Sequence, residues 1–307
     1  MRLFWIILLG LPLTFQAQER VALVGGSASK ASVAAVRDVN EEEVTRILDF
    51  ELDGGIILVE AFIDQQPHTF VLDSGAPGLI LNNFQSNGIK TSITGINGTM
   101  TAYDLILKNF SWADKHYPSI AATSMDLSRL ESMTKRKISG LIGYDLLKDY
   151  ELFLDYEKRV MQLQPHRVNI DEESVPLVRF PITFHEHLPV IEAEIAGQKL
   201  QLGLDTGAEI NVLDQHISAR IASAASDVVP YGKIYGVGNA DVPSAQVRVS
   251  VTRIRRAAYR EMNFVLTDLS GIMDRGMTKI DGILGFPFLS SCKFSIDFRK
   301  KEQKVWP

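Results

Sequence analysis

The chain contains one unit twice. Residues 56–76 (IILVEAFIDQQPHTFVLDSGA) align without a gap with residues 188–208 (LPVIEAEIAGQKLQLGLDTGA). Glu60-Ala61 stands opposite Glu192-Ala193, Ile63 opposite Ile195, Gln66 opposite Gln198, and Leu72-Asp73 opposite Leu204-Asp205. A second pair lies downstream, residues 138–165 against residues 280–307, down to the Pro165 and Pro307 that close each copy. Internal repetition on this scale constrains the fold more than any local signal, because two copies of one unit must pack against each other. Two lobes related by approximate two-fold symmetry bring equivalent residues to the axis. Asp73 and Asp205 are then expected to face each other.

That pairing answers a problem posed by composition around each Asp. Asp205 follows the apolar run LGL and precedes Thr206-Gly207-Ala208; Asp73 follows FVL and precedes Ser74-Gly75-Ala76. An ionised carboxylate buried at the end of an apolar strand is costly unless something pairs with it. A single Asp-Ser/Thr-Gly triplet is weak support, with roughly 0.1 chance occurrences expected in a chain of this length. Two triplets in matched frames, each followed by Gly-apolar-apolar-Gly (Gly140-Leu141-Ile142-Gly143 and Gly282-Ile283-Leu284-Gly285), are far more specific. Two carboxylates a few ångströms apart cannot both ionise easily, so they share one proton. The ionised partner can deprotonate a water lying between them while the protonated partner donates to a carbonyl oxygen. No Ser, Cys, metal or cofactor is needed for that chemistry.

Around each motif the chain is rich in Val, Ile, Leu and Phe, with short runs bounded by Gly, Asn, Asp and Pro, which predicts strands. The clearest are residues 56–63 and 69–72, with Gln65-Gln66-Pro67 as the turn between them. Short helices are expected at residues 145–149 and 214–224. The expected organisation is a signal peptide at 1–17, a leader at 18–46 with a helix near 41–48, a first lobe at 47–167, a polar linker at 168–176 and a second lobe at 177–307. Position alone leaves open whether the leader is a pro-segment.

These motifs resemble those of the aspartic peptidases, in their retroviral-type and pepsin-type branches. Leu72-Asp73-Ser74-Gly75-Ala76 and Leu204-Asp205-Thr206-Gly207-Ala208 look like the catalytic loops, and the Gly-apolar-apolar-Gly elements look like those packing under them. Ala after Gly, and Glu209 after Ala208, are similar to the retroviral habit; Pro77 departs from it. Two lobes in one chain resemble the pepsin arrangement, and the whole looks most like exported bacterial aspartyl proteases with two retropepsin-like lobes. The resemblance covers roughly residues 48–307, but its specific motifs occupy only a few dozen of them. It implies a mainly β, bilobal fold with pseudo-two-fold symmetry. It also implies catalytic Asp73 and Asp205 acting on an extended peptide in a cleft, without a cofactor. Ser74 and Thr206 would hydrogen-bond across the axis, and Gly75 and Gly207 would donate amides to the carboxylates. A flap would cover the cleft, with Gly95-Ile96-Asn97-Gly98 and Gly236-Val237-Gly238-Asn239 as candidate tips; an ordinary hairpin is the alternative at each. A peptide-binding module that keeps the fold without turnover is the rival reading, although it has no use for two facing carboxylates. A glycoside hydrolase using a carboxylate pair is a third, to which the duplicated loop is foreign.

The remaining features narrow the field. A formal net charge of −5 gives no global electrostatic case for nucleic acid. The start, MRLFWIILLGLPLTFQAQ, has a basic residue, an apolar run and Ala17 at a plausible cleavage point, so an exported, soluble protein without a stable membrane anchor is expected, periplasmic or extracellular. The single cysteine, Cys292, excludes an intramolecular disulfide and reads as a buried, inert thiol. His185-Glu186-His187 lacks the i, i+4 spacing of a helical zinc motif and reads as a solvated hairpin turn. Gly236-Val237-Gly238 lacks the third glycine and the βαβ setting of a dinucleotide loop. Lys135-Arg136-Lys137, residues 253–256, Glu60 and Glu192 read as solvated faces. With both halves of the site in one chain, activity as a monomer is expected.

Overall fold

The computed structural model describes residues 8–9, 44–83, 88–95, 98–165, 175–234, 236, 242–270 and 279–307. They form a mainly β molecule in which the repeat is explicit. In lobe one the strands run, edge to edge, Glu51–Asp53, Ile56–Ile63, Gln66–Leu72, Gly140–Ile142, Leu79–Asn82, Lys115–Met125, Gly98–Trp112 and Ile89–Gly95. In lobe two the order is Thr183–His185, Leu188–Ile195, Gln198–Leu204, Gly282–Leu284, Val212–Asp214, Ala257–Thr267, Val242–Ile254 and Ala225–Ile234. Each strand of one list is the counterpart of the same place in the other. Leu8–Leu9 extends the first sheet at Thr94–Gly95. Both sheets curl until distant strands meet, Ile63 opposite Phe110 and Ile195 opposite Thr252, which closes each into a barrel.

Local chemistry sets the hairpins. Ile56–Ile63 buries most of its residues, as a strand covered on both faces does, and only Glu60 and Phe62 are exposed. Its turn is tighter than the sequence suggested. Asp64 and Gln65 both adopt positive φ (49° and 64°), a two-residue connection that matches strand twist, so Gln66 and Pro67 already belong to the next strand. The counterpart turn is Ala196–Gly197, with φ of 53° and 74°.

A third sheet joins the lobes. Its strands run Val178–Pro181, Glu302–Trp306, Lys293–Asp297, Tyr150–Asp155, Val160–Pro165 and Arg46–Asp49. Phe153 pairs with Ser295, and these are equivalent residues of the two repeats, so the symmetry axis passes through that pair. The expected helix near residues 41–48 is therefore wrong at its C-terminal end. Arg46–Asp49 is an edge strand with alternating exposure, registered on Val160–Leu163. The expected 145–149 helix is one turn at Tyr144–Leu147, residues 214–224 hold the short helices Gln215–Ile217, Ser218–Ile221 and Ala222–Ala224, and Ser128–Thr134 is a helix the sequence did not suggest. Leu152, Leu154, Phe294 and Ile296 of the joining sheet are buried in one core that runs through both lobes. Two smaller apolar clusters sit at the loops, one holding Ala76 with Ile80, Ile93 and Leu141, the other Ala208 with Val212, Ile234 and Ile283.

Candidate active site

Each Asp loop leaves a buried strand and is caught by the glycine element of its own lobe. Gln66–Leu72 runs parallel to Gly140–Ile142, and Asp73 N–H donates to the Ile142 carbonyl at 2.9 Å. Gln198–Leu204 and Gly282–Leu284 repeat the arrangement, with Asp205 N–H donating to the Leu284 carbonyl at 3.1 Å. Below, the Tyr144 and Phe286 amides donate to the Ala76 and Ala208 carbonyls at 2.9 and 2.8 Å. Gly143 and Gly285 are required there, because a Cβ would lie 2.4 Å from each of those carbonyl oxygens.

The loops meet across the axis. Ser74 N–H donates to Thr206 Oγ1 at 2.9 Å, and Thr206 N–H donates to Ser74 Oγ at 3.1 Å. The two hydroxyls in turn donate to strand carbonyls of the opposite lobe, Thr206 to Leu72 at 2.9 Å and Ser74 to Leu204 at 3.2 Å. Gly75 lies so close to the opposite carboxylate that a Cβ there would be 2.7 Å from Asp205 Cγ; at Gly207 it would be 2.5 Å from Asp73 Cγ. Each carboxylate also accepts from its own loop, Asp73 Oδ1 from Gly75 N–H at 2.9 Å and Asp205 Oδ1 from Gly207 N–H at 2.8 Å.

Asp73 and Asp205 are both buried, each against the glycine of the opposite loop. Burial pushes the Asp73 carboxyl well above the ordinary carboxylate range; the charge of Asp205 and the bond to it add to the rise, and the Gly75 and Ala76 amides oppose it. Burial also raises Asp205, to about 6, against the Gly207 amide, the Asp73 bond and the Gly75 amide. The two shifts belong to the pair rather than to either carboxyl. Ala76 and Ala208, both fully buried, bring no hydroxyl to either carboxylate. Next to the pair, Glu209 is pushed up to about 8 by burial and then by the charge of Asp53.

The expected flap tips fall in corresponding hairpins. Gly95 and Gly98 pair at the end of the first, while Ile96 and Asn97 lie outside the described residues. Gly236 follows the strand Ala225–Ile234 of the second, and Val237, Gly238 and Asn239 lie outside them. Ile93 and Ile234 root the hairpins in the apolar clusters of Ala76 and Ala208.

His185-Glu186-His187 is not a solvated turn. His185 is fully buried and His187 nearly so, and His187 Nε2 lies 2.7 Å from the Gly75 carbonyl oxygen. The apolar packing of Phe184 and Tyr144 around this turn removes it from water. Extending the repeat alignment upstream by a few residues gives the missed signal, because Asp53-Gly54-Gly55 then stands opposite His185-Glu186-His187. Tyr156 was also missed; it is buried, and burial and the charge of Asp205 raise its hydroxyl. Cys292 is half-buried rather than buried, and burial pushes its thiol up. Among the described residues, Asp214, His216 and Asp268 hold ligand-type atoms within 4.8 Å of one another. Their oxygens are already committed to chain turns: Asp214 accepts from the His216 and Leu269 amides at 2.8 and 3.0 Å, and Asp268 from the Ser270 amide at 2.8 Å. Asn82, the counterpart of Asp214, accepts from the Leu127 amide in the same way, so this group serves the fold. No described helix is long and apolar enough to cross a membrane.

A family model described as aspartyl protease matches residues 191–288, which include Asp205-Thr206-Gly207-Ala208 and Gly282–Gly285. A comparison with curated proteins finds no match.

Proposed function

We propose that the protein is an aspartic endopeptidase that hydrolyses extended peptides with a water activated between Asp73 and Asp205. The observation that carries this reading is the pair of buried carboxylates, each laid against the other loop's glycine and served by its own loop's amide. Desolvation and mutual repulsion make the singly protonated pair the stable state in mildly acidic solution, which is the state the chemistry requires. The charged partner takes a proton from the water as it attacks the peptide carbonyl. The neutral partner donates to the carbonyl oxygen, and the roles reverse as the amine leaves. Ser74, Thr206, Gly75 and Gly207 hold the carboxylates in place, and the hairpins ending at Gly95–Gly98 and near Gly236 act as flaps over an extended substrate.

The protein acts as a monomer, since both halves of the site lie in one chain; activity per mole then stays constant on dilution, and a steep loss with sedimentation of a dissociating dimer contradicts it. It works outside the cytoplasm after removal of residues 1–17, which N-terminal sequencing of the exported protein checks. The mechanism is tested by kcat/KM against pH on a fluorogenic peptide. A bell-shaped profile with its maximum in mildly acidic solution is expected; a profile that rises without an upper limb to neutral pH rejects it.

A further inference from the structure

The two loops are symmetric in their own hydrogen bonds but not in what holds them from behind. His187 lies in the lobe-two turn between Thr183–His185 and Leu188–Ile195. Its counterpart in lobe one is Gly55, where a Cβ would lie 2.8 Å from the Phe286 ring. Phe286 is in turn the counterpart of Tyr144, whose ring is 6.4 Å from His187. One loop therefore meets an imidazole where the other meets bare backbone.

The bond from His187 bears on Asp73 through Gly75. A carbonyl oxygen only accepts, so the 2.7 Å contact with Gly75 O requires the proton on Nε2. Gly75 is also the residue whose N–H donates to Asp73 Oδ1 at 2.9 Å, while the Ala76 N–H at the far end of the bonded peptide donates to the Asp73 backbone carbonyl at 3.1 Å. Holding the Gly75 carbonyl therefore fixes the residue whose own N–H favours the charged form of Asp73. Gly55, the counterpart of His187, has no side chain with which to do the same for lobe two.

We propose that His187 is a positioning residue that holds Gly75, and with it the amide that donates to Asp73 Oδ1, so that one aspartate has a support the other lacks. The geometry stands alone, and the consequence for catalysis rests on the peptidase reading. The titratable and charged groups around the imidazole are Tyr144, the buried His185 and exposed Glu186 of its own turn, Lys301 over the Phe184 ring at 6.0 Å, and the two aspartates beyond Gly75. Removing the Nε2 donor frees the Gly75 carbonyl and loosens the Gly75 N–H that favours the charged form of Asp73. Asp73 then keeps its proton to higher pH, by roughly half a unit. In the active enzyme the upper limb of kcat/KM moves up by the same amount, and any rate loss falls on kcat rather than KM.

The test is a carbon-13 titration of the full chain labelled at Asp Cγ, with Asp73→Asn to identify the signal, for the wild type, His187→Leu and His187→Gln. An Asp73 titration raised in His187→Leu and restored in His187→Gln, whose amide N–H replaces the donor, supports the inference. An unchanged Asp73 titration in a folded His187→Leu overturns it. Should His187→Leu fail to fold, the long-range proton–nitrogen spectrum of the wild type decides: a proton on Nε2 supports it, and a proton on Nδ1 alone overturns it. Peptide hydrolysis with an unmoved Asp73 rejects this inference and leaves the peptidase reading intact. A moved Asp73 in a chain that hydrolyses nothing does the reverse.

Discussion

Thr206→Val isolates the bonds that clasp the two loops. The substitution keeps the shape of a side chain that is 1% exposed and removes only its hydroxyl. Two buried backbone groups lose a partner: Ser74 N–H, now 2.9 Å from Thr206 Oγ1, and the Leu72 carbonyl, also at 2.9 Å. An orphaned buried polar group costs roughly 1–3 kcal/mol, so the pair should cost roughly 2–6 kcal/mol. That is a large part of the roughly 5–15 kcal/mol by which a folded domain is stable. Thr206→Ser keeps the hydroxyl and loses one methyl, which should cost only about 1 kcal/mol. Urea unfolding followed by circular dichroism measures both, with an unchanged slope as the sign that the folded and unfolded states are comparable. The reasoning is refuted if the Val variant loses no more stability than the Ser variant.

Three other expectations follow from the same structure. Glu209 stays neutral to about pH 8 when folded but ionises near 4.5 when unfolded, so the unfolded chain releases its proton first and stability falls as pH rises between those values. Glu209→Gln should flatten that slope, by roughly 1–3 kcal/mol once partial exposure is discounted, as read from melting midpoints across pH. Lys304→Met strands the buried Glu151 carboxylate, 2.6 Å from the Lys304 ammonium, and should cost roughly 3–5 kcal/mol in urea unfolding, whereas adding Glu151→Leu should recover most of the loss. Ala208→Ser adds a donor beside Asp205 and should move the upper limb of kcat/KM to lower pH, by up to about one unit; an upper limb that stays or rises shows that the missing hydroxyl does not control it.

The repeat made the bilobal β fold legible, and the pairing of Asp73 with Asp205 followed from it. Ser74, Thr206 and the two loop glycines occupy the places their residue types suggest, since small and hydroxyl side chains are what a close crossing of two backbones admits. Other features depend on contacts that no local window contains. Arg46–Asp49 follows Glu41-Glu42-Glu43, and acidic residues before an apolar pair suggest a helix start; the free edge of Val160–Pro165 makes it a strand instead. His185-Glu186-His187 is polar and sits in a turn, which ordinarily means exposure. The aromatic packing of Tyr144, Phe184 and Phe298 lies about this turn, both histidines are buried, and the partner of His187, Gly75, lies in the other lobe. The joining sheet was half visible: each copy ends in a matched segment closed by Pro165 or Pro307, but that the copies meet at Phe153 and Ser295 emerges only when the symmetry is applied to the packed molecule.

The central claim is that Asp73 and Asp205 form one hydrolytic site. Its most direct test incubates the purified protein with an unfolded protein substrate in mildly acidic solution containing a metal chelator, and reads new chain termini by mass spectrometry. The wild type should generate internal cleavages, and Asp73→Asn and Asp205→Asn should each abolish them while keeping the wild-type circular dichroism. Cleavage that survives in either folded variant contradicts the claim.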